Sequence, residues 1–315
     1  MVRGSALKAT DWAADKAKRS AVIEAIMRIA AATNLACPID GLPIGTLVAE
    51  LRCTAGHSFD VAREGYCNLL VVQHKASRDP GDGKDMVAAR RRFLQAGHFE
   101  PIADHVFHAV RGCVAAAGEG PFNVTDAGCG EGYYLDRLSQ LASATPGSRT
   151  LGLAGIDVSK WAIKAAARRK VPVSWLVANN RRPPFLAGSV DLVLCLFGFP
   201  VWEGFRQVQK PGGHVLLVDP ATDHLLELRE IIYPTVTRSP PPSLAAAQAA
   251  GYVLEREEGL RVSARLTGAE VIGDLVAMTP HAHRLQQAGR SALADLSSLS
   301  VTIDVVFRLM MLERA

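Results

Sequence analysis

Long apolar runs are missing from this 315-residue sequence. The apolar stretch at 21–32 is interrupted by Glu24 and Arg28, and no run reaches the roughly 18–20 apolar residues of a membrane-spanning helix. Six cysteines form no dense disulfide pattern, and no secretory signal precedes them. These absences argue against a membrane protein or a small disulfide-rich secreted protein, and they predict a protein of the reducing cytoplasm.

A strong charge of either sign is missing as well. The 35 Lys and Arg residues exceed the 31 Asp and Glu residues only slightly, for a formal net charge of +4. This excess is compatible with an anionic partner but does not require one. Hydrophobic residues make up 49% and charged residues 21%, which is ordinary for a globular protein with one large and one small domain.

Composition divides the first part of the chain into three regions. In residues 1–34 the apolar side chains recur at helical spacing and predict a helical extension, with a dispensable extension as the alternative (Ala21, Ile23, Ile26, Met27, Ile29). Residues 35–72 combine clustered Cys and His with short β-like pieces at 46–51 and 66–72, and they are too few to build a core alone. Residues 73–112 predict a polar linker followed by helices.

The remaining region, 113–315, alternates strand and helix patterns. The predicted strands at 123–127, 151–157, 174–178, 190–197 and 214–219 are interleaved with predicted helices at 133–144, 160–169 and 201–209. Two further strand patterns, at 254–265 and 301–312, close the chain. The alternation predicts an α/β fold in which a seven-stranded, mostly parallel sheet carries helices on both faces.

The clearest chemical motif is a glycine-rich turn between the first strand and the first helix of this region. It reads Asp126-Ala-Gly128-Cys-Gly130-Glu-Gly132-Tyr-Tyr134. Glycines suit a sharp turn whose backbone a ligand approaches closely. The spacing differs from the Gly-x-Gly-x-x-Gly pattern of dinucleotide-binding proteins, so NAD is the weaker alternative. It resembles motif I of class I methyltransferases, where the turn packs against the methionine part of S-adenosylmethionine.

Further residues extend this resemblance. Asp157 ends the second strand, where the family places an acid on the ribose hydroxyls, and Asn179 follows the third, where the family contacts the adenine. Tyr134 and Phe197 complete the candidate cofactor contacts. Simpler alternatives remain for the two acids: Asp126 as a strand-end turn residue, and Asp157 as a helix N-cap. Phe197, like Phe199, fits core packing as well as stacking on a flat base.

The small region carries a candidate metal site. Cys37 and Asp40 are separated by two residues, Cys53 and His57 by three, and twelve residues lie between the two pairs. This spacing resembles a zinc-binding ribbon, in which two short turns supply four ligands. The alternative is a metal-free lobe that packing alone holds together.

Longer blocks resemble the RlmA family of bacterial 23S rRNA guanine-N1 methyltransferases over residues 35–315. They lie at 59–70, 73–82, 89–94, 130–134, 157–167 and 278–280. The resemblance implies S-adenosylmethionine as cofactor, zinc in the small module, and methyl transfer to guanine N1 in a hairpin loop of 23S rRNA. The family normally has a Cys where this chain has Asp40, and residues 1–34 have no counterpart.

The polar segment after the small module supplies the remaining candidates. For the general base that removes the N1 proton these are His74, Asp79 and Asp82, although a plain turn explains 79–82 equally well. A basic cluster predicts RNA phosphate contacts (Lys75, Arg78, Arg90, Arg91, Arg92). A second cluster at 164–170 fits either RNA binding or a solvated helix face. The oligomeric state is open between monomer and homodimer.

Two other functions are compatible with the same residues. A small-molecule methyltransferase on this fold predicts turnover of a metabolite and no salt-sensitive RNA binding. A non-catalytic RNA-binding assembly protein predicts RNA affinity without methyl transfer. The intact glycine turn argues against the second.

Overall fold

The computed structural model describes residues 27–46, 50–71, 80–144 and 149–314. Most of the region 1–34, including Ala21, Ile23 and Ile26, therefore lies outside the described residues. So do four residues of the predicted polar segment (His74, Lys75, Arg78, Asp79). No helix within the described ranges is long and apolar enough to cross a membrane.

Twelve strands occur in the described residues, and nine of them form one sheet. In chain order they are β1 (Met27–Ala31), β2 (Ile44–Thr46), β3 (Glu50–Cys53), β4 (Ser58–Asp60), β5 (Tyr66–Asn68), β6 (Phe122–Ala127), β7 (Arg149–Asp157), β8 (Ser174–Val177), β9 (Val190–Leu196), β10 (Gln209–Pro220), β11 (Tyr252–Thr267) and β12 (Ser298–Leu312). The large sheet has the order β11-β12-β10-β9-β6-β7-β8-β5, and β1 pairs with β7.

Pairing in the large sheet is parallel except around β12, which runs antiparallel to β10 and β11. β9 is buried along almost its whole length, which explains why it reads as a continuous apolar run. All seven predicted strands are present, and the predicted α/β fold is confirmed. The segment Pro211-Gly212-Gly213 lies at an irregularity in the pairing of β10 with β9.

The helices cover the sheet and connect its strands. They are α1 (Lys84–Gln95), α2 (Glu100–Ala116), α3 (Tyr133–Ser143), α4 (Lys160–Ala167), α5 (Trp202–Val208), α6 (Leu226–Ile232), α7 (Ala245–Ala249), α8 (Ala269–Ala277) and α9 (Gln287–Ala294), with a 3₁₀ turn at Pro280–Arg284. The carboxyl ends of the parallel strands meet at one edge, where ligands bind in folds of this kind. The glycine turn lies at that edge.

The prediction of a helical extension through residue 34 is wrong for Met27–Ala31, which form the strand β1. Met27–Ala31 pairs in parallel with Arg149–Leu153, the first part of β7. β8 pairs only with Ala154–Asp157, the last part of β7. The first part therefore has backbone groups that β1 satisfies, and this tertiary pairing outweighs the local helical spacing.

The small module shares the core of the large domain. Strands β2, β3 and β4 form a three-stranded antiparallel sheet. β5 leaves this module and pairs in parallel with β8, matching Tyr66 with Trp175. The strand predicted at 66–72 thus belongs to the large sheet, and it ends at Asn68. Cys37 and Leu51 pack in one apolar cluster with Phe185 of the large domain.

Candidate cofactor, substrate and metal sites

The glycine turn is held by the neighbouring strand. The backbone N–H groups of Gly128 and Cys129 both donate to the carbonyl of Ile156, at 2.8 and 3.0 Å. Gly128, Gly130 and Gly132 have φ angles of +92°, +55° and +83°, in the region that favours glycine. Apart from its chain neighbours, none of the described residues has an atom within 4 Å of a Cβ built on Gly128, so the turn leaves open space on that side.

Asp157 ties the glycine turn to the start of α4. Its Oδ2 accepts from the Gly130 N–H at 3.0 Å, and its Oδ1 accepts from the Ser159 N–H at 2.7 Å. Burial raises the pKa of Asp157, while these two bonds lower it. Ser159 is itself the N-cap, since its side chain accepts from Ala162 N–H. Each oxygen of Asp157 has a second lone pair, which leaves it able to accept from a ribose hydroxyl.

Asp126 is the least satisfied polar group of the site. Both of its carboxylate oxygens are buried and have no hydrogen-bond partner among the described residues, and the same is true of the Tyr134 hydroxyl. Burial, followed by the charge of Asp157, raises the pKa of Asp126 to about 8. A buried carboxylate without a partner is costly, so this position favours a ligand that brings a positive charge. The ammonium group of S-adenosylmethionine meets that requirement.

The residues after the third and fourth parallel strands have different surroundings. Asn179 Oδ1 accepts from the backbone N–H groups of Arg181 and Arg182, which stabilises its own turn. Its adenine contact stays a prediction. The Phe197 ring lies 5.9 Å from the Phe99 ring and packs against the core, as one of its two interpretations predicted. Phe199 is 90% exposed, which excludes a core position for that ring.

The end of the predicted polar segment lies against this site. The Ser159 hydroxyl donates to the Asp82 carbonyl at 2.6 Å, and the Asp82 carboxylate accepts from Arg90. Arg90 also donates to the Met278 carbonyl at 3.0 Å. Asp82 is thus engaged by an arginine on the Asp157 side of the site. Its predicted role as general base gains no support from this geometry and stays a prediction.

The other predicted RNA-binding arginines of α1 also have partners inside the protein. Arg91 donates to the Ala165 carbonyl at 3.3 Å, and Arg92 Nε donates to Asp274 at 2.8 Å. The RNA contacts of these residues stay predictions.

In the second basic cluster, Arg169 is almost fully buried and forms ion pairs with Glu131 and Asp136. Arg169 Nε also donates to the Glu131 carbonyl in the glycine turn, at 2.8 Å. A solvated face or an RNA contact is therefore wrong for Arg169.

A group of aromatic and histidine side chains on the β10 side of the site was not anticipated from the sequence. His224, in the loop after β10, has its ring 5.8 Å from the Phe197 ring. The Tyr233 hydroxyl and His281 Nδ1 are 2.9 Å apart. None of these residues belongs to a recognisable motif. Only their position after a parallel strand, where functional residues cluster, could have indicated them.

The four predicted metal ligands come together in the small module. The ligand atoms of Cys37, Asp40, Cys53 and His57 all lie within 4.8 Å of one another. The two sulfurs lie 3.6 and 3.4 Å from His57 Nδ1. Tetrahedral zinc separates a sulfur from a nitrogen ligand by about 3.6 Å, so the donor set fits the ion. Asp40 directs Oδ2 to the cluster while Oδ1 accepts from Leu42 N–H.

Two family models match the chain. A zinc-ribbon model described as the N-terminal part of RlmA matches residues 35–78, and a methyltransferase-domain model matches residues 124–213. A Streptomyces fradiae 23S rRNA (guanine(748)-N(1))-methyltransferase is 33% identical over 87% of this chain and 95% of its own. The chain belongs to the 23S rRNA (guanine-N1)-methyltransferase family.

Two provisionally named members of the family are equally similar. YxjB of Bacillus subtilis strain 168 is 32% identical over 81% of this chain and 89% of its own. A Micromonospora griseorubida protein is 33% identical over 88% of this chain and 96% of its own. The methyltransferase domain includes the glycine turn and Asp157, which makes S-adenosylmethionine the cofactor. The zinc-ribbon match includes the four clustered ligands.

Proposed function

We propose that this protein transfers a methyl group from S-adenosylmethionine to N1 of a guanine in a hairpin loop of 23S rRNA. The observation that carries the proposal is the buried, unpartnered carboxylate of Asp126 beside the glycine turn. A methyltransferase requires a cationic cofactor at this edge of the sheet, and Asp126 favours one electrostatically. Family membership then supplies the rRNA substrate and the guanine N1 target.

The chemistry sets two demands on the chain. When bound, the cofactor supplies an electrophilic methyl group on a sulfonium, which must lie in line with guanine N1. N1 takes part in base pairing, so the guanine must leave the paired stack before it reacts. A hairpin loop meets this condition because its bases can be splayed out.

An exposed aromatic side chain lies just beyond the carboxyl end of β9, at the edge of the sheet that carries the glycine turn. Phe199 follows β9 by three residues and is 90% exposed. Base–aromatic stacking contributes about 1–3 kcal/mol per base. We assign to Phe199 a stacking contact with a base of the loop.

The small module is the second part of the proposal. Cys37, Asp40, Cys53 and His57 hold a zinc ion, and the ribbon that the ion stabilises contacts the RNA. The distances within the cluster support tetrahedral coordination. A homodimer remains a hypothesis that light scattering of the purified protein tests.

The test is methyl transfer from labelled S-adenosylmethionine to unmethylated bacterial 23S rRNA, mapped by reverse-transcription stops. A methyl on N1 blocks pairing, so a single new stop at a loop guanine supports the proposal. The matched control is Asp126→Asn, which retains the shape of the side chain and loses its charge; label incorporation should fall. Incorporation of label without a reverse-transcription stop would mean that an atom other than N1 is methylated. No incorporation of label, with the cofactor still bound, would refute the proposal.

A further inference from the structure

The inference concerns His224 and rests on the proposed function. The His224 ring packs beside two aromatic rings, 5.8 Å from Phe197 and 6.4 Å from Phe99, which are themselves 5.9 Å apart. The residue after Phe197 borders the glycine turn, since a Cβ on Gly198 would lie 3.6 Å from the Ala127 carbonyl oxygen. His224 therefore lies on the β9–β10 side of the cofactor turn, at the carboxyl edge of the sheet.

The loop that carries His224 is fixed to β12. The Ala221 N–H donates to the Asp304 carbonyl at 2.8 Å, and the Leu225 N–H donates to the Thr302 carbonyl at 2.7 Å. Leu225 is held at φ +51°, which is uncommon for a residue with a side chain. A side chain anchored on both sides in this way has a defined position. Such rigidity suits a residue that must meet one atom of a substrate.

A backbone bond determines which nitrogen of His224 carries the proton. The Asp304 N–H donates to His224 Nδ1 at 3.3 Å. Nδ1 is then an acceptor, so the proton of the neutral ring is on Nε2. No hydrogen bond to Nε2 is present in the part of the chain that the structure describes. The ring thus offers one N–H donor.

The surroundings keep the imidazole neutral. Burial, together with the charges of His281 and Arg229, lowers the pKa of His224 to about 4. A neutral Nε2–H is a donor whose charge state is constant between about pH 5 and pH 8.

We propose that His224 donates a hydrogen bond from Nε2 to O6 of the target guanine. When N1 loses its proton to a solvent base, the negative charge spreads over N1 and O6. The N1 electron pair forms the new bond to the methyl carbon, and the electrons of the breaking carbon–sulfur bond remain on sulfur. A donor at O6 stabilises the charge that develops before this transfer. It also discriminates against adenine, which presents an amino group at the same position.

Two substitutions separate the donor from the rest of the side chain. His224→Leu removes the donor and keeps an apolar side chain against the Phe197 and Phe99 rings, whereas His224→Gln retains an N–H donor close to Nε2. We expect His224→Leu to lower kcat by about 10²–10³-fold, as for other donors to a developing oxyanion. The kcat of the His224→Gln variant should be at least about tenfold higher than that of the Leu variant. Cofactor affinity by calorimetry should stay near the wild-type value, and the urea midpoint should fall only slightly because the hydrogen bond from the Asp304 N–H is lost.

A remote histidine provides the control. His214, in the middle of β10 and beside Leu192 near the start of β9, pairs with Glu255, and His214→Leu should retain the wild-type kcat.

The decisive measurement changes the RNA. A hairpin that carries 6-thioguanosine at the target presents sulfur, a weaker acceptor than oxygen, in place of O6. The rate ratio of guanosine to 6-thioguanosine RNA should be at least about tenfold larger for the wild type than for His224→Leu. Equal ratios in the two proteins, or wild-type kcat in the Leu variant, would overturn the proposal. Absence of N1 methylation by the wild type would instead refute the proposed function.

Discussion

Gly132 combines a left-handed backbone with close packing, so a single added methyl group should be costly there. It has φ +83°, and a Cβ built there would lie 2.6 Å from Trp175 Cη2 and 2.9 Å from the Ala166 Cβ. Real Cβ atoms do not approach heavy atoms so closely, so Gly132→Ala must displace the indole or α4. The turn and the helix that follows it, α3, would both be affected, since Gly132 is the N-cap of α3.

Two contributions set the magnitude. A left-handed backbone costs a residue with a Cβ about 1–2 kcal/mol relative to glycine. An overpacked contact in a well-packed core costs a further ~1–3 kcal/mol. Both contributions destabilise the folded state, so we add them. Gly132→Ala should then lower the free energy of unfolding by about 2–5 kcal/mol.

Two other glycines separate these contributions. Gly188 has φ +61° and Gly128 has φ +92°, and in the described part of the chain no atom beyond the adjacent residues lies within 4 Å of a Cβ on either. Both Ala variants should lose only the backbone contribution, about 1–2 kcal/mol in urea unfolding. Gly128→Ala should also weaken S-adenosylmethionine binding in calorimetry, because its Cβ enters the open side of the turn. If Gly132→Ala is no less stable than Gly188→Ala, the packing argument is refuted.

Three further variants test other parts of the site. The folded-state pKa of Asp126, about 8, is above its ordinary value of 3.8, so the stability of the cofactor-free protein should fall as pH rises from 4 to 8. Asp126→Asn should flatten that dependence of the urea midpoint, and an unchanged slope would contradict it. Asp157→Ala removes the acceptor of the Gly130 and Ser159 N–H groups. Each lost charge-assisted bond costs about 1 kcal/mol or more, so cofactor binding measured by calorimetry should weaken at least about tenfold. Asp40→Ala should weaken zinc retention against a chelator, while Asp40→Cys retains it; equal retention in the Ala variant would remove Asp40 from the ligand set.

The sheet from β6 to β10 could be predicted because its strands are buried on both faces and alternate with helices. β9 illustrates this, since an apolar run of seven residues between turn signals has few other interpretations. β1 could not be predicted in this way. Its five residues form a strand because β8 leaves one side of the first part of β7 unpaired. Which strand edges stay unpaired depends on the assembled sheet and not on the local sequence.

The residues of the site likewise fall into those that could be predicted from local sequence and those that could not. The glycine turn and Asp157 are local features, so their roles follow from spacing at strand ends. His224 owes its fixed tautomer to Asp304, 80 residues later in the chain. Arg169 is buried against Glu131, 38 residues earlier. A sequence displays charges and donors, but partners at such separations depend on the fold, and these two residues could not be assigned from the pattern alone.

The partners that the arginines of α1 have inside the protein determine how these arginines should be tested for RNA binding. Arg92 is paired with Asp274, whose side chain is only 9% exposed, so Arg92→Ala would leave a nearly buried carboxylate without its partner. A loss of RNA affinity in that variant could then reflect damage to the fold.

Among the described residues Arg91 donates one long hydrogen bond, 3.3 Å, to the Ala165 carbonyl, so Arg91→Ala should change stability little. If Arg91 contacts a phosphate, this variant should weaken hairpin binding uniformly and reduce the slope of log affinity against log salt by about 1. An unchanged slope, with an unchanged urea midpoint, would remove Arg91 from the RNA-binding surface.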